Sequence, residues 1–223
     1  MTGQYANPML LWQLIDSAFP SGGFAHSWGL EAAYQAGEID SEPALRRFVR
    51  DSLWQTGHAV LPLVTAAHRD PARLASLDAT CDAFLTNAVA NRASRQQGRA
   101  FLSACARVWP SPPLTALDGR ARAGCGHYAP AAGAALRVLD VSIDESQRLV
   151  LFGASRGVLA SAIRLGIIGP FRAQQLQHEC SAWIADVLAA CRSRGPDDLT
   201  QTAPIADLLQ SAHDRLYSRL FQS

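Results

Sequence analysis

The sequence predicts an all-α protein: one helical-bundle-like domain over residues 1–223, with about nine or ten helices. Three observations carry this reading. Apolar residues recur at i, i+3, i+4 and i+7 along most of the chain, and no alternation lasts long enough to make a sheet. Start and stop signals bound segments of helical length: Ser41, Asp70-Pro71, Ser142 and Gly169-Pro170 as starts, Gly37 and Gly166 as stops. No repeat with a period of about 20–50 residues is visible, so a solenoid is not expected.

Leu11, Leu14, Ile15 and Ala18 form the buried stripe of a first helix, which Pro20 and the pair Gly22-Gly23 stop. A second helix is expected to start at Ser27 as N-cap, with Glu31 in its first turn, where the helix dipole favours negative charge. The stretch 10–37 therefore reads as helix, glycine elbow, helix, with Phe24, His26 and Trp28 beside the elbow. Ser41 caps a third helix with Leu45, Phe48, Val49 and Leu53 inside and Gly57 as its end; 58–69 continue as a short apolar helix around Pro62. After Asp70-Pro71, the inner face is Leu74, Leu77, Cys81, Phe84 and Leu85.

The run 91–109 is more polar. Arg92, Arg95 and Arg99 share a face, which reads first as solvated surface. Gly98 in mid-helix costs roughly 1 kcal/mol against Ala, and so points to close approach of another backbone. Residues 110–125, with Pro110, Pro112, Pro113, Gly119 and Gly124, read as the longest irregular connection and a possible hinge. Pro130 opens a helix through Leu139. The capping box Ser142-x-x-Glu145 starts a helix to about Leu165 that is apolar almost all round and is expected at the centre of the bundle. Its Gly153, Gly157 and Ser161 would make a flat strip for a neighbouring helix. Leu176, Cys180, Trp183, Ile184, Val187, Leu188 and Cys191 stripe the next helix. Residues 193–203 form a surface loop, and Pro204 opens a last helix facing inward through Ile205, Leu208, Leu209, Ala212 and Leu216.

Composition narrows the function classes. Hydrophobic residues make up 48% and charged residues only 17%, against about a quarter in typical chains, so more surface than usual is expected to be covered by partner protein. The net charge of +1 offers no electrostatic case for nucleic acid. Cys81, Cys105, Cys125, Cys180 and Cys191 are odd in number and lack C-x-x-C spacing, as buried free thiols in a reducing compartment would be. Residues 1–10 show no signal-peptide pattern, and Arg156 and Arg164 interrupt the most apolar stretch, so neither membrane insertion nor export is expected; the reading is cytoplasmic.

No catalytic constellation or cofactor motif stands out. Gly153-Ala154-Ser155-Arg156-Gly157 matches the G-x-S-x-G nucleophile elbow of serine hydrolases, but that motif needs a preceding strand and a sheet, and here helix signals surround it. Cys125-x-His127 could supply two soft ligands to a transition metal, or could be a buried thiol beside a hydrogen-bonded imidazole. The elbow itself allows three readings: a plain helix–helix turn, a phosphate loop, or a partner-binding corner. All 20 basic residues are Arg, so the lysine of a phosphate-binding P-loop is ruled out. The tail holds His213, Tyr217, Arg219, Leu220 and Phe221, apolar residues that must dock either on the chain's own core or on another subunit.

Four stretches in order resemble the urease accessory protein family UreF: FPSGGFAHSWGLEAA at the elbow, the S-R-x-Q-G-R-A-F-L run at 94–102, Gly126-His127-Tyr128 before a small-residue helix, and the segment from His213 to Ser223. The resemblance implies an all-helical, homodimeric, non-enzymatic accessory protein. Such a protein binds the accessory protein UreD (also called UreH), recruits and regulates the GTPase UreG, and takes part in nickel insertion into apo-urease. On that footing the partner-facing residues are Pro20, Gly22, Gly23, Phe24, His26, Ser27 and Glu31 at the elbow, with Arg95, Arg99 and Tyr128 in the middle motifs. Arg164 and the tail residues His213, Tyr217, Arg219, Leu220 and Phe221 complete the set. Arg164 reads either as an arginine-finger-like group or as an interface or helix-terminal charge. Pro170-Phe171 and Gln222 depart from the family pattern. Deleting 213–223 is expected to abolish partner binding and leave the helices intact. A helical regulator of a different GTPase, or a hydrolase using Ser155, are the alternatives.

Overall fold

A computed structural model describes residues 8–223, so the reading of the amino terminus falls largely on residues 1–7, outside the described residues. The described chain is helical throughout, with no strand. Its helices are α1 (Pro8–Ile15), α2 (Leu30–Gln35), α3 (Glu42–Gln55), α4 (Leu61–Arg69), α5 (Leu74–Phe84) and α6 (Ala88–Val108), followed by α7 (Pro112–Ala123), α8 (Tyr128–Val138), α9 (Ile143–Arg164), α10 (Pro170–Cys191) and α11 (Pro204–Ser211). No helix among the described residues is long and apolar enough to cross a membrane.

Most local signals act as the sequence indicates. Ser41 Oγ accepts the Ala44 N–H at 3.4 Å. The Ser142–Glu145 capping box closes from both sides, at 3.2 Å each. Gly37 ends α2 with φ 81°, and the N–H groups of Gly37 and Glu38 return to the carbonyls of Tyr34 and Ala33.

Several expectations need correction. Gly57 does not stop a helix. A π-helical turn, Thr56–Val60, joins α3 to α4 without a break. Pro62 has no N–H for the His58 carbonyl, and that carbonyl instead accepts the Thr200 N–H at 3.3 Å. The 110–125 stretch is not irregular. Ser111 accepts the Leu114 N–H, and Pro112 and Pro113 sit in the first turn of α7, where a missing donor costs nothing.

The third correction concerns the centre of the molecule. It is α4 and α8, not α9: Leu61–His68 are buried without exception, and so are Ala129–Leu136. Alanines on α8 let the two axes approach, and Gly133 marks the closest point, where an added Cβ would lie 2.2 Å from the Val64 carbonyl oxygen. Helix α9 packs on α3, α4 and α10 through Val150, Leu151, Val158 and Leu159 and keeps a wet side that includes Gly153. Its Gly157 receives the indole of Trp28, not a neighbouring helix. The fourth correction is at α11: Ile205 and Leu208 point outward, 70% and 69% exposed, while Ala206 and Leu209 pack inward. At Gly98 the expected close approach is present, since an added Cβ would lie 2.2 Å from the Gly126 carbonyl oxygen.

Candidate docking site

The elbow and the tail are one structure. Helix α1 ends at Ile15, earlier than its apolar stripe suggests. Asp16 turns the chain by accepting the Ala18 N–H at 3.0 Å, and Phe19 is buried against Phe101 and Trp109 while Ala18 stays exposed. Positive φ falls on Gly22 (75°) and Gly29 (84°), not on Gly23, which lies in a 3-10 turn. Between them Trp28 holds φ 61°, rare for a bulky residue, fixed by its indole against Gly157. Ser27 is not the cap of α2. Gly29 takes that position, and Ser27 Oγ donates to the Ser223 carbonyl at 2.9 Å.

Residues 213–223 fold back as a strap over this corner. Glu31, 1% exposed, is the anchor: its carboxylate accepts the Leu220 N–H at 2.6 Å and the Phe221 N–H at 3.2 Å, and meets His213 Nε2 at 3.0 Å. A carboxylate can only accept, so His213 carries its proton on Nε2. The Gln222 N–H donates to the Ala25 carbonyl at 2.8 Å, and His26 Nδ1 lies 2.6 Å from Ser223 Oγ. The Arg164 guanidinium is clamped 4.1 Å from both the Phe24 and Phe221 ring centres, and it donates to the Phe24 carbonyl at 2.6 Å. That engagement makes Arg164 a link between elbow and strap. Arg92 holds the strap's Asp214 through two bonds of 2.8 and 3.0 Å.

The geometry sorts the sequence candidates. His26, Ser27, Glu31, His213 and Phe221 are buried and build the corner from inside. Phe24, Leu220 and Tyr217 face outward, 69%, 53% and 105% exposed, with Pro20 and Arg219 also at the surface. Gly22 and Gly23 shape the backbone beneath them. Arg99 donates to the Gly124 carbonyl at 2.9 Å, at the Gly126 loop, with Arg95 on the same helix face, while Tyr128 packs edge-on against Phe101 and lines a cavity that His26 and Ser223 also line. Sequence reasoning missed Arg92, Gln222 and Ser223 as members. Their partners lie more than a hundred residues away, and no local pattern announces such pairs.

His26 gives the corner a pH dependence. Burial first, then the charges of Arg92 and His213, push its pKa down from 6.5 to about 4. The unfolded chain takes up this proton near pH 6.5, and the folded chain only near 4. Stability is therefore lost as pH falls through that window. The urea midpoint is expected to drop between pH 7 and pH 5, and His26→Asn should flatten the slope; an equal slope in the variant would refute the assignment.

The other predicted candidates have structural neighbours of their own. Ser155 lies mid-helix and buried, donating to the Phe152 carbonyl at 3.0 Å and accepting from Gln177 at 2.9 Å, so no strand-to-helix nucleophile elbow exists. Cys125 and His127 sit in a loop pinned by the buried Asp78, whose carboxylate accepts the N–H groups of Cys125, Gly126 and His127 at 2.7, 2.9 and 2.7 Å.

An all-helical chain with a self-strapped corner and outward aromatics has the form of a protein that presents a surface to others. The comparisons agree. A family model described as UreF matches residues 39–181. The chain is 38% identical over 218 residues to Urease accessory protein F of Arabidopsis thaliana, covering 95% of this chain and 91% of the relative. It is 37% identical to Urease accessory protein F of Oryza sativa subsp. indica, covering 94% and 83%. To Urease accessory protein UreF of Arthrobacter sp. (strain FB24) it is 32% identical, covering 96% of each chain. The chain belongs to the UreF family of urease accessory proteins.

Proposed function

We propose that this protein is a non-enzymatic scaffold of urease maturation, working as one cytoplasmic helical domain and as a homodimer. In this reading it binds UreD (UreH), recruits and regulates the GTPase UreG, and so supports nickel delivery to apo-urease. The observation that carries the reading is the strapped corner. Its internal bonds hold Phe24, Tyr217 and Leu220 outward on a rigid base, the arrangement of aromatic and apolar anchors that dominates protein interfaces. The low charged fraction of 17% fits a chain with much of its surface covered.

The test must leave the strap in place. Deleting 213–223 would strip Glu31 of its three partners and is therefore expected to disturb the fold as well as binding. Tyr217→Ala and Leu220→Ala remove exposed side chains only. Each is expected to weaken co-purification with UreD by roughly 30-fold, the effect of a hot spot of about 2 kcal/mol, with unchanged melting. The double variant should lower urease activity in cells expressing the operon at fixed nickel. Full binding and full activity would refute the proposal and favour a regulator of some other GTPase.

A further inference from the structure

The loop before α8 holds a second cluster of reactive side chains. A carboxylate oxygen of Asp82, Cys125 Sγ and a ring nitrogen of His127 all lie within 4.8 Å of one another. They come from two places in the chain, the end of α5 and the loop before α8, and three features prepare them for a shared ligand.

The first is rigidity. Asp78 holds the backbone at 125–127 by three N–H bonds, and Gly98 lets α6 close on the same loop, so Cys125 and His127 are presented in fixed positions. The second is orientation. His127 is fully buried, with Nδ1 3.1 Å from Ser94 Oγ and Nε2 3.1 Å from Asp82 Oδ1. An ion entering between them would replace the hydrogen that Nε2 shares with Asp82, while Nδ1 donates to Ser94 Oγ and fixes the ring. Two ligands about 2.0–2.1 Å from a tetrahedral ion stand roughly 3.3 Å apart, close to the His127–Asp82 separation. The Asn91 amide donates to the same Asp82 Oδ1 at 2.9 Å and steadies the carboxylate beside His127. The third is access. The Asp82 side chain is 43% exposed and Cys125 half-buried, so an ion can enter without opening the core.

We propose that Asp82, Cys125 and His127 form a three-ligand site for a borderline divalent transition ion of the zinc, cobalt or nickel type, with Ser94 as the outer partner that orients His127. A thiolate, an imidazole and a carboxylate suit that class, whereas calcium or magnesium would want oxygen ligands alone. Three protein ligands leave the fourth tetrahedral position for water or for a group from another molecule. On binding, the Cys125 thiol loses its proton to solvent, so each ion bound releases one proton. The inference stands apart from the docking proposal: it concerns this chain alone.

Cobalt(II) titration of the purified full chain tests it. A thiolate-to-cobalt band in the near ultraviolet should rise and saturate at one ion per chain, and added zinc(II) should abolish it. The other four cysteines are buried, so Cys125→Ser should remove the band. Asp82→Asn should weaken cobalt affinity at least ~10-fold, and Ser94→Ala by ~10–100-fold. Circular dichroism of each metal-free variant should match the parent. No saturable band in the parent, or an undiminished band in Cys125→Ser, would overturn the site; unchanged affinity in Asp82→Asn would overturn the three-ligand assignment.

Discussion

Glu31→Ala is expected to destabilise the protein by about 3 kcal/mol or more, because several buried donors lose their shared acceptor and each such loss costs roughly 1–3 kcal/mol. The carboxylate is 1% exposed and serves His213 and the N–H groups of Leu220 and Phe221. Alanine leaves three donors in a cavity with nothing to accept them. His213 has no fallback, because its Nδ1 is buried and makes no bond of its own. Glu31→Gln keeps the shape but turns one acceptor into a donor against those N–H groups, so a smaller loss of about 1–3 kcal/mol is expected. Urea unfolding at pH 7 measures both. Trypsin should then cut at Arg215 and Arg219 in the variants well before it cuts the parent, since the strap would be loose. A midpoint shift of less than half a kilocalorie for Glu31→Ala would show that the strap is not anchored there.

The second large effect concerns the α4–α8 contact. Gly133→Ala would place a methyl 2.2 Å from the Val64 carbonyl oxygen and 2.9 Å from its carbon, both backbone atoms that cannot swing away. The two central helices must separate, and a cost of ~3 kcal/mol, the upper end for overpacking, is expected in the same unfolding assay. Gly153→Ala is the control on α9. Nothing lies within 4 Å of its added Cβ, so relief of glycine's helix penalty should stabilise by about 0.5–1 kcal/mol. Opposite signs for one chemical change separate packing from propensity. Equal signs would mean that the close approach at Gly133 is wrong.

Much of this architecture was legible residue by residue. Ser41, Ser142, Glu145, Gly37 and Gly166 act within four residues of their targets, and each performs as its type suggests. Elsewhere a residue type served two purposes and the local reading chose the wrong one. Pro112 and Pro113 looked like loop markers but start α7; Gly57 looked like a stop but gives room to Val187, whose Cγ1 would lie 2.5 Å from an added Cβ. The stripe of α11 showed which residues share a face, but not that Ile205 and Leu208 would face away from the core.

The candidate site divides in the same way. Its family motifs, its glycine elbow and the cysteine–histidine pair could be read directly from the chain. That Glu31 meets the strap, that Arg164 is clamped by Phe24 and Phe221, and that Asp82 completes a trio with Cys125 and His127 could not. The all-α class and most caps follow from interactions spanning three or four residues, which order along the chain specifies, whereas the Ser27 side chain was drawn away to Ser223. Which helix lies at the centre, which apolar face stays wet and which distant groups meet depend on how the whole set of helices fills space, and only the packed molecule decides that.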